Sequence, residues 1–374
     1  MRSIAGRLAT TEPVRGKGGF DVLLGRHKFN ILRILILALL FFSGADAAMA
    51  QAVSSQSIVY SARNPAAIKD YRTNPAMVRA MVNRLVLAVT GQPDLPRAWR
   101  SLVSPDDKVG IKISAAGGEL FTTHRDIVNA IVDGLVSAGH ARNSIIVWDR
   151  SVAGIKEAGY RPEAEGYQIR SIAPHDGYDP NAVFSAPLTG RLIWGDLDYR
   201  SDRGKIPLLS DQELTSDESH FARILSSEVT KIINVPVMSD SPSCGIAGCL
   251  YNMTIPNIDN WRRFTQGVPY GVGAIAEIYR SQFIGPKVVL NIMDGLVAQY
   301  AGGPQSHPNY AVHHATILAS KDPVAIDALA VRQIEEWRVK ARLAPIAPLA
   351  QHVQAAGQLK IGNAEVIEVR NVGP

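Results

Sequence analysis

From residue 106 onward the chain alternates short β-branched runs with longer stretches whose apolar residues recur at helical spacing. Val109-Gly110-Ile111-Lys112-Ile113 predicts a strand over Lys108 to Ile113. Thr123 is placed to cap a helix from about His124 to Ala138, in which Ile127, Ala130, Ile131, Gly134, Leu135 and Ala138 follow the i, i+3, i+4 rule and Gly139 supplies the stop. Ser144 to Trp148 predicts a second strand, ending at Asp149-Arg150. Strand, helix and strand at this spacing form a βαβ unit, which requires a parallel pair. The expected fold is α/β: a mainly parallel sheet flanked by helices.

The remaining segments fit around that unit. Residues 51–105 read as a lead-in whose one clear element is a helix over Asn74 to Thr90, and 106–374 as one α/β domain. Between about 176 and 210, Pro, Gly, Asp and Tyr punctuate short alternating pieces such as Gly190 to Trp194, which predicts a small β-rich insertion. Glu218 to Leu225 reads as helix, Val229 to Val235 as strand, Asn257 to Phe264 as a helical patch, and Gly271-Val272-Gly273 as a helix start. Lys287 to Ile292 predicts a buried strand that stops at Met293-Asp294-Gly295, where a short polar side chain and a glycine permit a turn. Thr316 to Ser320 is a further strand. It leads through Lys321 and Asp322 into a helix over Val324 to Val339, with Pro323 in the first turn and Asp327 further along. Ala364 to Val369 closes the pattern as a strand.

Composition changes the picture at the amino terminus. Arg26, His27, Lys28 and Arg33 precede the apolar run Ile34 to Phe42, and Ala48-Met49-Ala50 supplies the small-x-small pattern, so residues 1–50 read as a secretory signal peptide cleaved after Ala50. The run is shorter than the roughly 20 residues a membrane span needs, so no stable membrane anchor is expected after cleavage. The expected location is the periplasm or the exterior. That leader holds seven of the 39 Lys and Arg residues and three of the 34 acidic ones, which leaves 32 against 31, a net charge of +1. No basic stripe interleaved with aromatics remains, which argues against nucleic acid as a partner. Export also bears on the only two cysteines, Cys244 and Cys249. An oxidising compartment favours a disulfide between them, with two buried free thiols as the alternative. Two cysteines alone do not complete an iron–sulfur site, and no iron–sulfur cluster is expected.

Several residues carry candidate chemistry. In open α/β sheets ligands bind at the carboxyl ends of the strands. Lys112, Asp149 and Asp294 lie at or near such ends and are the candidate catalytic residues, expected to open into one pocket. Lys112 would serve as acid or base if a carboxylate holds it, or snorkel to water from an edge position. Asn234, Asn252, Lys321 and Asp322 are candidate ligand-binding residues, although asparagines also cap turns and an Asp before a Pro-initiated helix is commonly only a cap. His124 could bind a ligand from the start of its helix. His307, His313 and His314 follow Gly302-Gly303-Pro304 in what should be a mobile loop, and with Asp294 they could hold a divalent metal. No nucleophile elbow, zinc-helix pair, Walker loop or dinucleotide fingerprint occurs.

The pieces Val109 to Ile113, Thr123-His124, Ile145 to Arg150, Ile233 to Pro236, Gly245 to Asn252, Asn291 to Leu296 and Leu318 to Asp327 together resemble the family grouped as domain of unknown function 362. The resemblance implies one copy of that domain and supplies a fold and a residue pattern without a reaction. Some relatives carry an appended ferredoxin-type cysteine module, which this sequence does not show. Similar proteins usually have a Lys and often a His after the Asn-x-Pro motif, where this chain has Met238-Ser239-Asp240-Ser241-Pro242. They have Lys-Asn where it has Tyr251-Asn252. The expected function is a small-molecule enzyme or binding protein. The alternatives are a non-catalytic ligand-binding or interaction scaffold and, resting only on Cys244 and Cys249, a redox protein.

Overall fold

The structure is a computed structural model and describes residues 56–161, 165–173, 175–191, 215–265, 270–303 and 305–373. The signal peptide expected over 1–50 lies outside the described residues. In chain order the elements begin with β1 (Ser57–Arg63), the short strands β2 (Ile68–Lys69) and β3 (Arg72–Thr73), and helices α1 (Pro75–Thr90) and α2 (Leu95–Leu102). The βαβ unit follows as β4 (Val109–Ile113), α3 (Arg125–Ser137) and β5 (Ile146–Ser151), then α4 (Val152–Glu157) and β6 (Gln168–Ala173). Next come β7 (Tyr178–Arg191), β8 (Thr215–Ala222), β9 (Lys231–Val235), β10 (Val237–Ser241) and β11 (Gly245–Ile246). The carboxyl-terminal third supplies α5 (Cys249–Thr254), α6 (Tyr270–Tyr279), β12 (Val288–Gln299), β13 (Ala311–Val312), β14 (Thr316–Ser320), α7 (Pro323–Lys340), α8 (Gln351–Gln358) and β15 (Ile367–Asn371).

The main sheet runs β15-β1-β14-β12-β9-β4-β5-β6. Strands β12, β9, β4, β5 and β6 pair in parallel, as the βαβ pattern requires, and β14 is antiparallel to both β12 and β1. This is an α/β fold with a mostly parallel sheet. The segment read as a lead-in is part of it, because β1 pairs with β14 on one side and β15 on the other. Side chains alternate across a strand, so one sheet face builds a core from Ile111, Ile113, Val147, Ile233, Val235, Leu290 and Ile292 with the apolar stripe of α3. The opposite face builds another from Trp148, Ile232 and Met293 with α5, α6, α7 and α8.

Two elements differ from the pattern in the sequence. Residues 218–222 belong to a strand, because β8 pairs antiparallel with β7 and this tertiary pairing overrides the helical spacing of Glu218 to Leu225. Strand β7 is the described part of the β-rich insertion expected over about 176–210, and its partner β8 lies beyond those bounds; 192–214 lie outside the described residues. Strand β12 also does not stop at Asp294. It continues to Gln299, and a Cβ on Gly295 would stand 2.8 Å from the Thr316 carbonyl oxygen, so the glycine serves close strand approach instead of a turn.

Candidate functional site

Lys112 sits in the middle of the sheet with no exposed surface. Its register partner on β9 is Asn234, whose own partner on β12 is Asn291, so three polar side chains stand in a row on one face of three parallel strands. Helix α5 lays Asn252 over the row. Lys112 Nζ donates to Asp149 Oδ1 at 2.7 Å, to the Ile113 carbonyl at 2.6 Å and to Asn252 Oδ1 at 3.2 Å. Asn252 Nδ2 donates to Asn234 Oδ1 at 2.8 Å, and Asn234 Nδ2 to Asn291 Oδ1 at 2.9 Å and the Cys249 carbonyl at 3.0 Å. Asp149 also accepts from the backbone N–H groups of Arg150 and Ala115 at 2.7 and 2.6 Å. Burial pulls the Lys112 ammonium below the ordinary lysine range, against the opposing charge and hydrogen bond of Asp149. All three ammonium protons are used, so the row is a closed internal network.

Both ends of α5 are fixed to hold Asn252 there. Asp327, fully buried on α7, accepts from the N–H groups of Cys249 and Leu250 at 2.6 and 2.9 Å, while Asn257 donates to the Asn252 and Met253 carbonyls at 3.1 and 3.0 Å. Burial pushes the Asp327 carboxyl up to about 7, with the two N–H groups pulling the other way. Cys249 opens α5 and Cys244 precedes β11. The expected disulfide is corrected by the structure, in which both are free thiols buried in the apolar core. Burial raises both thiols above their ordinary range.

Asp294 lies on the other face. Two residues beyond Ile292, it points into the layer that holds α3, and its Oδ2 stands 2.7 Å from His124 Nδ1 and 2.7 Å from the His124 backbone nitrogen. Its Oδ1 accepts from Leu296 N–H at 3.1 Å. Asp294 is fully buried, whereas the His124 side chain keeps 14% of its surface exposed, and Nε2 makes no hydrogen bond among the described residues. Burial lowers the His124 pKa, but the charge and hydrogen bond of Asp294, helped by the charge of Asp126, outweigh it and raise the pKa above the ordinary histidine value. Thr123 fixes the entry to α3: its hydroxyl donates to the Val235 carbonyl at 2.6 Å, and its carbonyl accepts from Tyr160 at 2.9 Å.

The single pocket expected for Lys112, Asp149 and Asp294 is therefore corrected. Lys112 and Asp149 meet, but the twofold period of a strand sends Lys112 and Asp294 to opposite faces. Asn234 and Asn252 direct their side-chain groups into the internal row and are not available to a ligand. The Lys321 side chain is exposed and contributes only its backbone, and Asp322 is a helix cap, accepting from Val324 and Ala325 N–H at 2.8 and 3.0 Å, from Ser57 Oγ at 2.5 Å and from Asn363 N–H at 2.8 Å. Strand β14 is antiparallel to β12, which places both residues at the opposite edge from Asp294.

Asp294, His307, His313 and His314 are not brought together as a metal set, and no three His, Cys, Asp or Glu side chains come together for an ion among the described residues. His307 rests against Tyr310, His313 meets the edge of Tyr71 at 4.6 Å between ring centroids, and His314 meets Trp337 at 5.1 Å. The loop that carries His307 is held, because Gln299 Oε1 accepts from His307 N–H at 2.8 Å and Asp240 from Gly303 N–H at 2.9 Å. Asn291 and Asp327 received no role from the sequence pattern. Asn291 had a readable signal, an asparagine inside a β-branched strand.

The family model described as domain of unknown function 362 matches residues 109–332, more than half of the chain, and that span contains β4, β5, β9 and β12 with both polar pairs. The chain belongs to this family. Among solved structures, the domain 362 chain is similar to the crystal structure of a protein from Thermotoga maritima, at 12% identity and a TM-score of 0.39. That match covers 74% of the present chain and 61% of the other. No curated protein matches.

Proposed function

We propose that this domain 362 protein is a small-molecule enzyme that transfers a proton through His124, with Asp294 as the residue that orients it. The observation that carries the reading is the asymmetry of the pair. A buried carboxylate accepts from both Nδ1 and the backbone N–H of one histidine, which favours the proton on Nδ1 and leaves Nε2 without a hydrogen bond among the described residues, on a side chain that keeps 14% of its surface exposed. The raised pKa of the ring favours its holding a proton that it can pass to a substrate. The position agrees with the chemistry, since β4 and β9 end beside His124 and ligands of open α/β sheets collect at that edge. The buried Lys112 network has the opposite character and supports the sheet.

The test is a pool of small metabolites incubated with the full chain and read by mass spectrometry for compounds bound and converted. Any conversion should fall about 100-fold or more in His124→Gln and by a smaller factor in Asp294→Asn, with the melting temperature of His124→Gln near native. Conversion retained in His124→Gln would reject the reading. Export belongs to the same proposal and is supported by the cationic stretch, the short apolar run and Ala48-Met49-Ala50. Protein recovered from its native host should begin at or near Gln51, and an intact Met1 would refute export.

A further inference from the structure

An open surface depression of about 620 Å³ is lined by Ala66, Lys69, Asp70, Arg72, Thr73 and Asn74, all of them exposed except the half-buried Thr73. The β2–β3 hairpin forms one wall, and its two-residue loop places Asp70 and Tyr71 at φ 50° and 61°. Two consecutive left-handed residues are the geometry of a tight hairpin turn that favours Asn and Gly, so a tyrosine there carries backbone strain. What holds it is the edge of His313 against the Tyr71 ring.

Contacts from this hairpin close a circuit around His124. The Thr73 hydroxyl donates to Asp126 in the first turn of α3, the helix that His124 caps. On the other side Tyr71 meets His313. The neighbouring His314 lies 3.5 Å from where a Gly295 Cβ would stand, one residue beyond Asp294. The positive charge of Arg63, at the end of β1, falls on His314, whose pKa burial and that charge together lower to about 4. The side chains of Lys69 and Arg72, register partners on the hairpin, make no ion pair or hydrogen bond among the described residues, and Asp70 is the one acid in the lining. His124 itself is not part of the lining. The depression adjoins it through Thr73 and Asp126.

We infer that the β2–β3 hairpin is an oxyanion-recognition element in which Lys69 and Arg72 hold a phosphate or carboxylate group of the small molecule that reaches His124. A guanidinium and an ammonium on one wall suit such a group, Arg as a planar fork and Lys as a point charge. The placement beside His124 rests on the acid–base reading, while the anion site stands on the pairing of Lys69 with Arg72 across the hairpin and on their lack of a carboxylate partner among the described residues.

Isothermal titration of the full chain with inorganic phosphate, and separately with malonate, tests it and shows which oxyanion the site takes. One or both should bind saturably, and the Lys69→Glu/Arg72→Glu double variant should bind at least about tenfold more weakly with an unchanged melting temperature. His124→Gln should keep anion affinity within about twofold of wild type, because it leaves the cations in place. Saturable binding in His124→Gln alongside unchanged metabolite conversion would leave the anion site standing and remove the acid–base reading. Absence of saturable binding of either anion to the wild type, or equal binding by the charge-reversed variant, would overturn the inference.

Discussion

Lys112 and Asn234 are register partners on adjacent parallel strands, yet Asn252 from α5 joins their side chains: it accepts from Lys112 Nζ at 3.2 Å and donates to Asn234 Oδ1 at 2.8 Å. A helix on one core face is thus keyed to the middle of the sheet by one charge-assisted and one neutral hydrogen bond, both between buried side chains.

The consequence is a stability penalty when one member is removed alone. Lys112→Met leaves Asp149 without its counter-charge and should cost about 3–5 kcal/mol. Combining it with Asp149→Leu should recover part of that loss, since an apolar pair of similar volume avoids burying charge. Denaturant unfolding of the two singles and the double measures the coupling. A loss below about 1 kcal/mol for Lys112→Met would mean that the ammonium is solvated and the closed network is wrong.

Cys244 and Cys249 should resist alkylation in the native protein and both react once it is unfolded without reductant. Their burial keeps the thiols protonated, and the thiolate is the reactive form. Thiol counting by intact mass before and after denaturation decides this, and an unfolded, unreduced chain with no alkylatable thiol would establish the disulfide instead.

His352 on α8 is fully buried with neither ring nitrogen hydrogen-bonded, and burial lowers its pKa to about 4. The folded state therefore keeps it neutral while the unfolded chain takes up a proton near pH 6.5. Stability falls as pH drops from about 6.5 toward 4, by roughly 3 kcal/mol at most for a shift of this size. Asp327 acts in the opposite sense over an overlapping window. Its folded pKa of about 7 lies above the unfolded value, so its contribution is present at low pH and lost as pH rises toward 7. Thermal scans from pH 4 to 7 on His352→Phe should show a flatter acid limb than wild type. An identical limb would mean that the ring is hydrated.

The parallel βαβ core was legible because its signals are local: β-branched runs, a helix with i, i+3, i+4 spacing and a glycine stop. The Asp322 cap was legible for the same reason. Lys112 facing away from Ile111 and Ile113 could also be read, but its company could not, since strand order decides that Asn234 and Asn291 stand beside it. Asp294 was misplaced because an Asp-Gly pair carries the same signature whether the glycine makes a turn or admits a neighbouring strand. The joining of His124 to Asp294, 170 residues apart, depends on which face Asp294 takes in a strand whose extent the sequence understated.

The central claim is that Asp294 sets the protonation of His124. Titration of the His124 ring by NMR, in wild type and in Asp294→Asn, measures this without knowledge of the substrate. In wild type the pKa should lie above 6.5 with the neutral ring protonated on Nδ1, and in Asp294→Asn it should fall below 6.5, because burial remains while the main opposing charge is gone. The raised pKa also makes the pair stabilising below pH about 6.5, an effect lost as pH rises through the folded value. A His124 pKa that is unshifted in wild type and unchanged in Asp294→Asn would contradict the account.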